Sequence, residues 1–294
     1  MLQFVTRGWA IATAGLAFLS RHRKLYLLPL CATIAVAAIV AAALRCAAAA
    51  LDAMPDLPPA LSFTLVVLPL FALGCWTARL VASFFNAALT SCLLQAFADA
   101  SVSVPAGLAV AGRRLPQLAR RALSAMTTGF LIKASHRPAN NADMLGFILA
   151  LIFSGLVGHR YFPWVAGEFF AMPLLVDGQP SLADARKRSA VLVRLHWGEQ
   201  ADPATRLGHL GAVLAAAAAL AAIAVLFALA IAGAPIGALE VLLGLLLVLL
   251  AGTILFASLG AIYTAAVYRR ALTGHAPAGF PEALLLGALD RDSF

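Results

Sequence analysis

Arg79, Arg160 and Glu168 each fall inside a long apolar run of this 294-residue chain. An ionisable side chain at bilayer depth is costly, so it marks an ion path, a headgroup site or a structural ion pair. Helical register relates two of the three. If Phe84-Phe85 and Phe169-Phe170 stand at one depth, Arg79 lies near the level of Trp164, and Glu168 is about one turn away, within reach of an arginine side chain. An Arg79–Glu168 pair would gate a polar path or hold an anionic headgroup. It would also serve simply to fix two helices, and three charges make a sparse pathway, which favours that plainer role. Arg160 sits in His159-Arg160-Tyr161-Phe162-Pro163-Trp164. Its aromatic neighbours suit a belt at the outer headgroups better than a helix break lining a cavity.

A second set of cations lies outside the apolar runs. Arg113 and Arg114, and the run Arg186-Lys187-Arg188, are candidate contacts for anionic lipid headgroups. The general excess of basic residues on the cytoplasmic side of membrane proteins also accounts for them. Nothing in the chain has the pattern of a catalyst: GxSxG, HExxH and a phosphate loop ending in GK[ST] are all missing, and no paired aspartates stand beside a basic group. The six histidines have no ligand spacing, so neither a metal nor another cofactor is expected. Cys31, Cys46, Cys75 and Cys92 lie in or beside apolar runs without a CxxC, which predicts small buried side chains. The net charge of +8 has no polar domain to carry it, which argues against nucleic acid as a partner and for membrane lipids.

The elements that must hold these residues are membrane helices. Apolar residues make up 63% of the chain and charged ones 12%, against roughly half and a quarter in a soluble domain. The excess falls in uncharged runs about as long as the hydrocarbon layer is thick. Span 1 is expected at Leu25 to Leu44, too long for the apolar core of a signal peptide and so retained. Span 2 begins near Leu61 with no turn signal before Asp99. Span 3 has only Ala122 to Ile132 free of charge and must borrow flanks across 119–138, with Arg120, Arg121 and Lys133 snorkelling outward. Spans 4, 5 and 6 follow at Met144 to Val176, Leu207 to Ala232 and Ile236 to Tyr268. Three further stretches read as surface helices. Phe4 to Ser20 places Phe4, Gly8, Ile11, Gly15 and Phe18 on one face, as a helix lying on a membrane would. Val104 to Leu118 is the second. The third opens at Ser181, spaced from Asp184 as in a capping box, and ends at His196-Trp197-Gly198, an interfacial Trp and a Gly terminator.

Six spans put all but five of the 21 Lys and Arg residues on one side, the side of both termini, and the basic side is cytoplasmic. A five-span alternative, with a re-entrant segment in place of span 3, would split those clusters. The predicted fold class is therefore all-α: a polytopic bundle of six transmembrane helices in one domain, 1–294. It reads as three parallel repeats of surface helix plus two spans, about 1–99, 104–177 and 181–270, with a tail at 271–294. The long spans end alike, in Phe84-Phe85-Asn86-Ala87-Ala88, Phe169-Phe170-Ala171-Met172-Pro173 and Ile262-Tyr263-Thr264-Ala265-Ala266. Repeats occur in transporters, and they also arise by duplication of a stable hairpin.

An ordered set of motifs adds a resemblance. Phe4-x-x-Arg7-Gly8-Trp9, Leu27-Leu28-Pro29-Leu30 and Phe84-Phe85-Asn86-Ala87-Ala88-Leu89 are followed by Pro173-Leu174-Leu175-Val176 and Ala185-Arg186-Lys187-Arg188-Ser189-Ala190. Trp197-Gly198-Glu199 and Ala266-Val267-Tyr268-Arg269-Arg270-Ala271 close the series. The chain resembles, over nearly its whole length, the bacterial polytopic family catalogued as domain of unknown function 6159. It departs from that pattern at Ala122 to Asp143, where Lys133 and Arg137 erode an ordinary span. The resemblance implies a bacterial inner membrane and no particular activity. Three functional classes follow: a non-enzymatic lipid- or protein-binding membrane component, a transporter or channel lined by Arg79, Arg160 and Glu168, and, last, a lipid-modifying enzyme.

Overall fold

The computed structural model describes residues 2–54, 58, 61, 63–124, 166–178, 181–198 and 238–286, and every regular element among them is helical. In chain order these are α1 (Leu2–Arg21), α2 (Leu27–Asp52), α3 (Leu68–Phe97), α4 (Val104–Arg113), α5 (residues 115–124) and α6 (Ala166–Phe169). Then come α7 (Ala171–Val176), α8 (Leu182–Trp197), α9 (Ala238–Thr273) and α10 (Glu282–Leu286). Most of spans 3 and 4, all of span 5, the Gly233-Ala234-Pro235 hairpin and Arg160 lie outside the described residues.

Three described stretches are long and apolar enough to cross a membrane: Arg23–Asp52, Leu65–Phe97 and Leu250–Thr273. The first outruns its expected end at Leu44. Arg45 is exposed and can snorkel, and Ala47 to Ala50 carry the helix on, because alanine is the best helix former. The second is not a single α-helix from Leu61. A π-helical turn, Phe63–Val67, precedes α3, and Pro69 takes a place in the first turn of α3, where its missing N–H costs nothing. At the other end Ala100 N donates to Gln95 O at 3.0 Å, and Asp99, with φ at 54°, turns the chain out of the helix.

The three long helices are packed differently at their two ends. Ala32 and Val36 of α2, Ala78 of α3 and Leu250 and Ile254 of α9 form a thin apolar seam. Near it Gly74 lets α3 approach α2, since a Cβ there would stand 3.0 Å from the Ala43 methyl. The start of α2 and the far ends of α3 and α9 belong instead to a thick core shared with the shorter elements. Leu28, Ala87 to Leu89, Cys92, Leu93 and Leu259 to Tyr268 meet α1, α4, α5, α7, α8 and Phe280 there.

The apolar face of α1 is one of the layers of this core. Gly8, Ile11, Gly15, Phe18 and Leu19 are buried, and a Cβ on Gly15 would come 2.9 Å from Leu259 Cδ2 of α9. That face is covered by protein and not by lipid, which corrects the expectation from its amphipathicity. Trp9 and Leu16 remain exposed on the opposite side. Two other expectations about burial change as well. Trp197 reaches inward: its Nε1 donates to Leu286 O at 3.1 Å, and its ring lies 6.1 Å from that of Phe170. Of the cysteines, Cys92 is buried, but Cys31 and Cys46 are exposed on α2, so apolar surroundings in sequence did not mean burial in protein.

Candidate functional site

Glu168 sits where α6, α5, α3 and α8 converge, and small residues make the convergence possible. A Cβ on Gly167 would stand 3.1 Å from Arg186 O, so only glycine lets α6 lie this close to α8. Ser189 clasps the two helices: its hydroxyl donates to Ala166 O at 2.7 Å and accepts from Phe170 N at 2.9 Å. The serine is fully buried, and both bonds satisfy backbone groups that would otherwise be stranded at the break between α6 and α7. This contact aims the Glu168 carboxylate at Arg186.

Two guanidiniums meet that carboxylate. Arg186 Nε donates to Oε1, and Arg121 Nε donates to Oε2 at 3.4 Å. Arg121 is held by the burial of Leu118 and Ala122 on either side of it in α5. Arg79, on α3 beside the buried Ala78 of the apolar seam, lies within electrostatic reach of both Arg121 and Glu168. Arg79 is thus within electrostatic reach of Glu168, while the carboxylate's ion pairs among the described residues go to Arg121 and Arg186. The cluster stays open to solvent, because 39% of the Arg186 side chain and 31% of the Glu168 side chain is exposed. A pair this open contributes little to stability, roughly 1 kcal/mol or less. Its interest lies in its charge: three guanidiniums face one carboxylate among the described residues.

Arg113 and Arg114, two of the candidate headgroup contacts, line a cleft of about 480 Å³ with Val110, Val176, Asp177 and Gly178. The Asp177 carboxylate accepts from the Tyr268 hydroxyl at 2.7 Å. The helix carrying Arg113 is capped by Ser103, whose Oγ accepts from Ala106 N at 3.4 Å, and docks through Gly107. A Cβ there would lie 2.8 Å from Ala88 O and 2.5 Å from Cys92 Sγ. Lys187 and Arg188 are exposed on α8, together with Val191, Arg194 and Leu195, while Ala185, Ser189 and Val193 face the core. The Ser181 cap is present: its Oγ accepts from Asp184 N at 3.1 Å and donates to the Asp184 carboxylate at 2.5 Å. Gly198, at φ 75°, ends the helix as the sequence suggested.

Three residues of these sites escaped the sequence reading. Arg121 counted there only as a flank of span 3, Asp177 as the last residue of the second repeat and Tyr268 as the end of span 6. A signal was present for Arg121, since the six-span reading counts it on the same side as Arg186, where a carboxylate at that level could balance both.

The cluster joins short helices to Arg79 of α3, in a chain whose described regular elements are all helical and include three stretches long and apolar enough to cross a membrane. Residues 62–280 match the model of a "Family of unknown function (DUF6159)", well over half of the chain, and the protein belongs to that family. No curated protein matches it, and no solved structure does.

Proposed function

We propose that this is a non-enzymatic multi-pass protein of a bacterial inner membrane that gathers anionic lipid headgroups at the cytoplasmic face through its basic surface helices. The observation that carries the reading is the common address of the cations. Arg113 on α4 and Arg114 at its C-cap, Arg120 and Arg121 on α5, Arg186 to Arg188 on α8 and Arg269 and Arg270 on α9 all belong to elements of the thick core, at one end of the long helices. In the six-span, three-repeat architecture that end is cytoplasmic, with both termini on it. Each exposed Lys or Arg near an anionic leaflet adds about 1 kcal/mol of attraction.

The test is lipid selectivity around the full chain in nanodiscs of mixed phosphatidylglycerol and phosphatidylcholine. The reading expects phosphatidylglycerol to be enriched, and the combined Arg113→Gln, Arg114→Gln, Lys187→Gln, Arg188→Gln variant to lose most of that enrichment. Salt near 1 M should do the same, since it shortens the screening length to about 3 Å. An unenriched wild-type annulus would refute it.

The position of Arg79 supports a second reading, a transporter or channel with its path between the repeats. A guanidinium on a long apolar helix, electrostatically tied to Glu168, is what such a path would carry. Solute flux in liposomes that is abolished by Arg79→Ala would establish it.

A further inference from the structure

We infer that Arg121 and Arg186 form a discrete seat for an anionic phosphate group, and that Glu168 occupies that seat as an internal counterion. The inference rests on the headgroup-binding reading and names one site within it. Both arginines reach Glu168 through Nε, and among the described residues their Nη groups make no hydrogen bond. A guanidinium offers five N–H donors in a planar fork, and a phosphate oxygen pair matches that fork better than a carboxylate met edge-on by two separate Nε atoms. The two arginines come from different elements, α5 and α8, so a ligand between them would be gripped from two sides.

The surroundings suit such an anion. Arg79 adds positive potential to the cluster. One helical turn before it, Trp76 holds a buried Nε1 donor without a partner among the described residues. The seat is reachable, with the side chains of Arg121, Arg186 and Glu168 17%, 39% and 31% exposed. It also stands at the boundary between the two packing regimes, since Ala78 of the apolar seam adjoins Arg79 while Phe169 of the thick core adjoins Glu168. That boundary is where a phospholipid would present its phosphate, with its acyl chains beside exposed apolar residues such as Leu73 of α3.

Glu168 gives the seat a distinctive response to substitution. A competing carboxylate keeps the two arginines paired when the seat is empty, so removing its charge should strengthen ligand binding, and a misfolded protein could not mimic that gain. The experiment is native mass spectrometry of the full chain released from detergent, with phosphatidylglycerol, phosphatidylcholine or inorganic phosphate supplied in turn.

Wild type should retain one phosphatidylglycerol in clear preference to phosphatidylcholine. Arg121→Gln and Arg186→Gln should each lower retention roughly tenfold or more, the scale of losing a hydrogen bond to a charged group. Glu168→Gln should raise it severalfold. Inorganic phosphate held by lipid-free protein, with the same dependence on both arginines, would assign the seat to a soluble phosphate; retention of the lipid alone would assign it to a headgroup. Equal retention of both lipids together with no phosphate held, or a Glu168→Gln variant that binds no more than wild type, would overturn the seat. Lys187→Gln with Arg188→Gln should leave the single retained lipid unchanged while reducing bulk enrichment in nanodiscs, so the seat and the basic face can fail separately.

Discussion

Around Phe170, the rings of Phe169, Trp197 and Tyr268 lie within 4.7 to 6.1 Å, and the side chain is fully buried. Around Val36, the buried neighbours are Ala32, Ala78, Leu250 and Ile254, and exposed Leu30 and Ile34 share its helix. The first region is built like the interior of a soluble domain and the second like a contact between membrane helices. The reason is the solvent each must exclude. If the long helices cross a bilayer along the seam, the short helices of the thick end meet water and headgroups, where apolar surface has to be covered by protein. Along the seam, lipid tails are as apolar as leucine, so burial drives little and close approach of small residues does the packing.

That contrast can be broken by substitution, with thermal unfolding in detergent as the measure. The largest effect is expected from Phe170→Ala, a loss of roughly 3–5 kcal/mol, because three aromatic neighbours cannot collapse into the void. Gly107→Leu should cost about 3 kcal/mol by forcing α4 off Ala88 and Cys92 of α3, whereas Gly112→Ala, with open space around it, should be neutral or stabilise by up to about 1 kcal/mol. Tyr268→Phe removes the donor to the Asp177 carboxylate and should cost about 1.5–3 kcal/mol. Among the losses the smallest belongs to the seam. Val36→Ala should cost under about 1 kcal/mol, since detergent or lipid can fill what the side chain leaves. A Val36→Ala loss as large as that of Phe170→Ala would erase the distinction between the two regions.

The same contrast explains which features were legible in the sequence. Long apolar runs announced α2, α3 and α9, and turn chemistry announced the ends of α8, because both signals are local. Hydropathy reports that a face is apolar without reporting what covers it. So Phe18 and Trp197, read as lipid-facing, proved to pack on protein, and Cys31, read as buried, proved exposed. For α1 a better signal was available: glycines at positions 8 and 15 on its apolar face permit close helix contact, which a lipid surface does not need. The cluster at Glu168 was half legible. Register along two spans related Arg79 to Glu168, but the rotation of α5 and the contact of Gly167 with α8, which bring in Arg121 and Arg186, are tertiary facts.

Gathering headgroups requires every basic helix to stand on one face of the membrane. Single cysteines at Arg113, Lys187 and Thr273, in a chain whose four native cysteines are replaced by alanine, test this directly with a membrane-impermeant maleimide. All three should label in inverted inner-membrane vesicles and stay protected in spheroplasts with intact membranes. Labelling of any one of them from the opposite side to the others would contradict the shared basic face, and with it the headgroup-gathering role.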